Sequence, residues 1–151
     1  MAEPSNLNNP AEEAYAKAEK AIAKAGHSET NRLDLSDLQD LDRIPPLDKL
    51  TKLTELVLNG TKVSELASIA KLTTLQKLRL NETQVSSLAP LAGLSALDSL
   101  DLRATQVSDV TPLATLTALR GLDISETRVL DIAKLANLTE LIELFLSRTS
   151  V

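Results

Sequence analysis

Three carboxylates recur at nearly equal intervals in the second half of the sequence. Asp101 and Asp123 lie 22 residues apart, and Glu143 follows 20 residues later. Carboxyl groups held close together can serve as general acid and base, since each charge shifts the pKa of the other. That chemistry also needs a pocket, which the sequence does not indicate. We therefore interpret the three residues as part of a solvated face and keep a carboxylate-based enzyme as the alternative.

The residue types of other catalytic and metal sites are scarce. His27 is the single histidine and there is no Cys, so neither a zinc site nor a thiolate nucleophile is predicted. The four glycines, Gly26, Gly60, Gly93 and Gly121, are too scattered to form a phosphate loop or a dinucleotide fingerprint. We expect no catalytic residue, no metal and no cofactor, and we interpret His27 as a solvated linker residue.

The chain from Leu53 onward consists largely of one repeated segment. Its pattern returns every 22 residues, at Leu75, Leu97, Leu119 and Leu141. Each copy contains two apolar residues spaced by two, which predicts a strand with one buried face. These pairs are Leu56 and Leu58, Leu78 and Leu80, Leu100 and Leu102, Leu122 and Ile124, and Leu144 and Leu146.

The second part of each copy has a different period. In the first copy Val63, Leu66, Ile69 and Leu72 are spaced by three, which favours short 3₁₀ turns. A copy of 22 residues has no room for a full α-helix after its strand. The fold class is therefore α/β, a right-handed solenoid with a parallel sheet on the concave face and turns and 3₁₀ segments on the convex face. The predicted strands are 32–36, 55–59, 77–81, 99–103, 121–125 and 143–147.

A column of threonines stands where each strand bends into its return segment. It comprises Thr61, Thr83, Thr105, Thr127 and Thr149. Backbone groups buried at such a bend need hydrogen-bond partners, and a hydroxyl can both donate and accept. We predict a structural column in which stacked threonines satisfy these groups from one coil to the next.

The pattern L-x-x-L-x-L-x-x-T-x-V-x-x-L-x-x-L-x-x-L, with phrases such as VSDVTPLATLTAL, resembles the leucine-rich repeats of bacterial internalins. The resemblance covers residues from about Arg32 to Val151. One departure is Thr at the bend, where that family usually has Asn, so the bend is expected to be hydrogen-bonded less completely. The resemblance implies a protein-binding scaffold.

The amino-terminal part reads as a helical cap. Asn9 as N-cap, Pro10 at the first helical position and Glu12 as a capping-box partner predict a helix that runs to about Ala25 and stops at Gly26. We expect one apolar face to cover the first coil, as solenoids require. That face comprises Tyr15, Ala18, Ile22 and Ala25. The helix resembles the short caps of intracellular bacterial leucine-rich repeat proteins more than the longer cap of secreted internalins.

The first and last coils depart from the repeat. Leu33 and Leu35 precede their counterparts by 23 residues, so one extra residue lies between Leu35 and Leu41. The predicted domains are a tail and capping helix at 1–31 and a solenoid at 32–151, of about five and a half coils without a carboxyl-terminal cap. We expect Leu135, Leu138, Leu141, Leu144 and Leu146 to be left partly uncovered. Either the chain is a fragment of a longer solenoid or this end self-associates.

Strand side chains that flank the buried leucines are predicted to form the concave binding face. Opposite charges side by side favour a protein partner over a polyanion. Lys77, Arg79 and Arg103 are expected to form a basic patch beside the three carboxylates, and Phe145 is the one aromatic residue of this face. The candidate site comprises Glu55, Val57, Asn59, Lys77, Arg79, Asn81, Asp101, Arg103, Asp123, Glu143 and Phe145.

Composition and charge argue against two further classes of partner. A net charge of −5 argues against a nucleic-acid or anionic membrane partner, and no apolar run reaches the length of a membrane span. A cytoplasmic location is the default expectation, and a secreted or surface-exposed one stays open. We predict a non-catalytic protein-protein recognition domain of a larger bacterial signalling or host-interaction protein. A purely structural spacer is a further alternative.

Overall fold

The computed structural model describes residues 9–28 and 30–151, so the predicted tail at residues 1–8 lies outside the described residues. The described part contains one α-helix followed by a six-stranded parallel sheet whose strands lie in sequence order. The elements are α1 Pro10–His27, β1 Arg32–Asp34, β2 Glu55–Val57, β3 Lys77–Arg79, β4 Ser99–Asp101, β5 Gly121–Asp123 and β6 Glu143–Phe145. The predicted solenoid with a helical cap is confirmed.

The sheet register follows the leucine columns of the sequence. Leu33 pairs with Leu56 across β1 and β2, and Leu56 pairs with Leu78 across β2 and β3. The same relation continues through Leu100, Leu122 and Leu144. Because every coil places its leucine beside the next, the side chains form one continuous hydrophobic core.

Each strand begins at its predicted residue and ends two residues earlier than predicted. The coil-to-coil hydrogen bonds continue past the strand ends, since the N–H of Leu58 donates to the carbonyl of Arg79 at 2.9 Å. Two residues later the chain adopts a left-handed conformation, with φ of +69° at Gly60. The same position has φ between +55° and +60° at Glu82, Ala104, Glu126 and Arg148. A regular strand cannot pass through this conformation, so the chain bends one residue beyond the predicted end of each of these strands.

The threonine column has the predicted structural role, but the predicted partner was wrong. Thr61 Oγ1 donates to the carbonyl of Leu58 in its own coil at 2.7 Å, and its backbone N–H donates to the same oxygen at 3.3 Å. Thr83, Thr105, Thr127 and Thr149 repeat the hydroxyl bond at 2.6–2.7 Å. The left-handed residue before each threonine turns the chain so that the threonine side chain points back to the carbonyl three residues earlier. The hydroxyl therefore closes its own turn instead of bridging two coils.

The return segments are short 3₁₀ helices, as the spacing of three predicts. They span Ala67–Ile69, Ala89–Leu91, Thr111–Thr115 and Ala133–Asn137. Their apolar residues Ile69, Leu91 and Leu113 are fully buried. The convex side therefore covers the core with single turns.

The amino-terminal helix has the predicted cap and a slightly different end. Asn9 Oδ1 accepts from the N–H of Ala11 at 3.1 Å, and Pro10 is the first helical residue. The helix continues past Gly26 to His27, where Ser28 donates from both its N–H and its hydroxyl to the carbonyl of Ala25. His27 is exposed and its Nδ1–H donates to the carbonyl of Ala23 at 2.6 Å.

A single arginine from the first coil ties this helix to the solenoid. The helix buries Ala14, Ala18, Ile22 and Ala25, whereas the predicted core residue Tyr15 is only half-buried. Arg43 lies 4.3 Å from the ring centroid of Tyr15, and its Nη2 donates to both carboxylate oxygens of Glu12 at 2.9 Å. Glu12 thus binds the first coil instead of completing the predicted capping box.

The two end coils agree with the sequence only in part. The extra residue before Leu41 falls in the turns of residues 36–40, which leave Leu41 fully buried. At the other end Leu141, Leu144 and Leu146 are half-buried, as expected. Leu135 and Leu138 are only 6% and 5% exposed, so the expectation for these two was wrong. Their 3₁₀ segment packs against the one before it.

Candidate functional site

The concave face consists of the strand side chains that point away from the core. The sheet register arranges them in two columns. The first column is Arg32, Glu55, Lys77, Ser99, Gly121 and Glu143, and the second is Asp34, Val57, Arg79, Asp101, Asp123 and Phe145. The fold therefore brings the predicted strand residues of the candidate site onto one surface.

Ion pairs compensate most of the charge on the part of this face that β1–β3 form. Arg32 contacts Asp34 at 2.8 Å and Glu55 at 3.2 Å, and Arg79 approaches the same Glu55 oxygen at 3.9 Å. The Glu55 side chain is mostly buried between the two arginines, at 21% exposure. Glu55 thus bridges two cations, while Lys77 forms no ion pair within the described residues.

The expected basic patch is divided between two acidic partners. Arg103 does not join Arg79, because its Nε and Nη2 donate to Glu126 Oε1 at 3.2 and 2.9 Å. This hydrogen bond raises the pKa of Arg103 above its usual value. Arg148 approaches the same oxygen at 3.7 Å. Two arginines therefore converge on Glu126 at the turn that follows β5.

The sequence interpretation missed Glu126, although a signal was present. Opposite charges 22 or 23 residues apart recur along the chain, because that spacing brings them to neighbouring coils. Arg103 and Glu126 follow this spacing, as do Arg32 and Glu55. Lys62 and Asp40 form a further pair at 2.7 Å. A search for opposite charges at this spacing would have found these pairs.

Asp101 and Asp123 are neighbours in the sheet register and also hold the chain at the strand ends. Asp101 Oδ1 accepts from the N–H of Arg103 at 3.1 Å, and Asp123 Oδ1 accepts from the N–H of Ser125 at 2.8 Å. Burial, together with the negative charge of Asp123, raises the pKa of Asp101 above its usual 3.8. No lysine or arginine pairs with either carboxylate within 4 Å among the described residues.

Three predicted site residues are less accessible than the prediction required. Val57 is 3% exposed, so its side chain offers little surface to a partner. Asn59 and Asn81 are half-buried. Their Oδ1 atoms are fully covered and accept no hydrogen bond, which leaves two buried amide oxygens unsatisfied. The accessible part of the site is accordingly concentrated in the charged residues and Phe145.

The carboxyl-terminal strands present the apolar part of the face. Phe145 is 52% exposed and lines a shallow depression with Asp123, Arg103 and Arg148. Ile142, at 68% exposure, lines a second depression beside Gly121 and Glu143. The sequence pattern did not single out Ile142, because it lies just before the strand.

Other kinds of site have little support in residues 9–28 and 30–151. No group of three or more histidine, aspartate and glutamate residues in that part could hold a metal ion. None of its helices combines the length and apolarity that crossing a membrane requires.

Similarity to known proteins agrees with this architecture. A family model described as leucine rich repeats in two copies matches residues 73–115. The crystal structure of internalin C2 from Listeria monocytogenes superposes with a TM-score of 0.77 and 34% sequence identity, covering 83% of this chain and 55% of that one. The chain is an internalin-like leucine-rich repeat protein. No curated protein matches its sequence.

A second Listeria monocytogenes internalin shows the same fold. Its structure superposes with a TM-score of 0.66 at 24% identity, covering 93% of the internalin-like chain and 52% of the other protein. The internalin-like chain thus spans about half the length of both structures. Internalin-like repeats form a protein-interaction scaffold, which supports a role in protein-protein interaction.

Proposed function

We propose that this chain is a non-catalytic protein-recognition domain that binds its partner through the concave face, within a larger bacterial signalling or host-interaction protein. The observation that carries the proposal is the exposed Phe145 beside charged side chains on a sheet whose register is fixed by the core. Aromatic residues on a preorganised surface are typical binding anchors. The internalin-like fold supports a protein as the partner.

The test is site-specific crosslinking followed by titration. A photoreactive phenylalanine analogue at position 145 should capture a protein from bacterial or host extracts, and the captured protein is then purified. Phe145→Ala should weaken its binding by at least about tenfold, as expected for an anchor. Leu130→Ala is the matched control, since Leu130 is 69% exposed and outside the concave face. Equal affinity of both variants for the captured protein would mean that the binding site lies outside the concave face.

The enzyme alternative makes a different prediction. It requires Asp101 and Asp123 to act on a substrate, although each already accepts a backbone N–H. Any turnover by the chain that disappears in Asp101→Asn and Asp123→Asn would favour this alternative. A purely structural spacer would show neither turnover nor partner binding.

We also propose that the isolated 151-residue chain associates through its last coil. The observation behind this proposal is that Ile142, Phe145 and Val151 are more than half exposed while Leu141, Leu144 and Leu146 are half-buried. A second copy of the chain would cover these side chains. The backbone edge of β6, the outermost strand of the sheet, would lie in the same contact.

A further inference from the structure

The two halves of the concave face differ in charge. Strands β1–β3 carry three cations and two anions in the two columns, and Glu55 bridges two of these cations. Strands β4–β6 carry Asp101, Asp123 and Glu143 and no cation. The arginine nearest to them along the chain, Arg103, is bound to Glu126. The strand side chains of the second half therefore carry a net negative charge, and the nearest cations line the adjoining depressions, Lys77 and Arg120 in one and Arg103 and Arg148 in the other.

The same half contains the exposed apolar groups. Phe145 follows Asp123 in the second column, and Ile142 directly precedes Glu143. Gly121 lies between them without a side chain, and a Cβ there would stand 3.8 Å from Ser99 Oγ and 3.9 Å from Glu143 Oε2. One shallow depression adjoins this position, and a second one lies beside Asp123 and Phe145. A ligand can therefore approach the sheet closely between Ile142 and Phe145.

We propose that strands β4–β6 form the specificity-determining half of the concave face and bind a basic protein segment, with lysine or arginine opposite the three carboxylates and an apolar side chain against Phe145. This proposal rests on the proposed function and adds the chemistry of the partner.

Charge complementarity favours this occupant over an acidic one. Asp101 and Asp123 are adjacent and partly buried, so a second anion would add repulsion where desolvation already disfavours charge. A cation would instead stabilise both carboxylates and can also contact the ring face of Phe145. The apolar groups at either side supply contact area that a small inorganic cation would leave exposed.

The experiment uses three synthetic peptides of equal length and the whole chain. One peptide alternates lysine and leucine, the second alternates glutamate and leucine, and the third alternates lysine and serine. NMR titration should show shifts of the Asp101, Asp123, Glu143 and Phe145 amides with the lysine–leucine peptide and none with the glutamate–leucine peptide. The lysine–serine peptide should bind at least about tenfold more weakly, because it lacks the apolar contact.

The variants separate charge from structure. The double substitution of Asp101→Asn and Asp123→Asn keeps an acceptor oxygen for the N–H groups of Arg103 and Ser125 while removing both charges. The double variant should bind the lysine–leucine peptide at least about tenfold more weakly. Asp34→Asn is the matched control in the same column, and it should leave affinity within about twofold. Thermal melts of all variants verify that they are folded.

Several outcomes overturn the proposal. Equal binding of the glutamate–leucine peptide, no binding of any peptide, or unchanged affinity in the double variant each contradicts it. The proposed function fails separately, by unchanged affinity of Phe145→Ala for the crosslinked partner. A partner that is lost with Phe145→Ala but binds the double variant normally rejects only the basic occupant.

Discussion

Arg103 donates two hydrogen bonds to one carboxylate oxygen of Glu126, at 3.2 and 2.9 Å, and turns away from Arg79. The two residues are 23 positions apart, and consecutive coils bring them together. The pair changes what a charge reversal at Arg103 should do. A glutamate at this position would face Glu126 across the same gap, so a change in binding would be mixed with a change in stability.

We expect Arg103→Glu to lower the free energy of unfolding slightly, as for other partly exposed ion pairs. Adding Glu126→Arg to that variant should restore most of the loss, because the pair is rebuilt in the opposite sense. Urea unfolding of the two single variants and the double variant measures the coupling. If the changes in unfolding free energy of the two single variants add up in the double variant, the pair contributes nothing to stability.

Charge reversal at both Arg79 and Arg103 still tests the basic side of the face. The simultaneous change should weaken a partner that places acidic groups against Arg79 and Arg103, and the Glu126→Arg background removes the stability effect at Arg103. Lys77→Glu is the cleaner single change, since Lys77 is exposed and its effect on stability should stay within about 0.5 kcal/mol. Unchanged affinity in all these variants would place the site outside β1–β3.

The core gives a further prediction. Leu100 is 1% exposed and pairs with leucines on both neighbouring strands. Leu100→Ala should lower the free energy of unfolding by about 2–5 kcal/mol, because it opens a cavity between coils. Leu130→Ala, at 69% exposure, should change it by less than about 0.5 kcal/mol. Similar denaturation midpoints for the two variants would argue against a shared core.

The left-handed residues that follow strands β2–β6 give another prediction. Ala104 has φ of +55°, a conformation that costs a residue with a side chain about 1 kcal/mol. Ala104→Gly should therefore raise the unfolding free energy by up to about 1 kcal/mol, and Gly60→Ala should lower it by a similar amount. A Cβ added at Gly60 would meet open space, so the loss in Gly60→Ala would come from the backbone alone. Opposite signs in thermal melts confirm the prediction, and equal signs contradict it.

Asp101 gives a prediction about pH. Its folded-state pKa is raised, first by burial, so the folded chain binds its proton more tightly than the unfolded chain does. The stabilising contribution of the protonated group is complete below the usual pKa of 3.8 and is lost as pH rises through the folded-state value. Asp101→Asn should therefore become more stable than the unsubstituted chain as pH rises to 7. Parallel stability profiles of the two chains would contradict the raised pKa.

The leucine columns predicted the strand order, the register and the buried residues, because a parallel solenoid repeats one contact pattern in every coil. The pattern could not reveal which way an exposed side chain turns. Arg103 and Val57 occupy positions that the repeat marks as concave, yet one pairs with Glu126 and the other is buried. Their placement depends on neighbours that differ from coil to coil. The same reason explains why Arg43 was missed as the link between Glu12 and the first coil.

The last prediction concerns association of the isolated chain. Ile142 is 68% exposed and Phe145 52%, and three leucines of the last coil are half-buried. Covering a large apolar side chain contributes about 1.5–3 kcal/mol, so a contact that covers these groups is favourable even after partial loss of side-chain freedom. Sedimentation should show a dimer whose fraction increases with protein concentration.

Ile142→Lys should shift this equilibrium toward the monomer, because it places a charge inside the contact. Leu130→Lys is the matched control, since Leu130 is equally exposed at 69% but lies in the preceding coil. A monomer at high concentration, together with rapid amide hydrogen exchange across residues 141–151, would contradict association. That result would mean that the last coil frays instead of pairing with a second copy, because loosening a weakly held coil costs less than ordering a dimer contact.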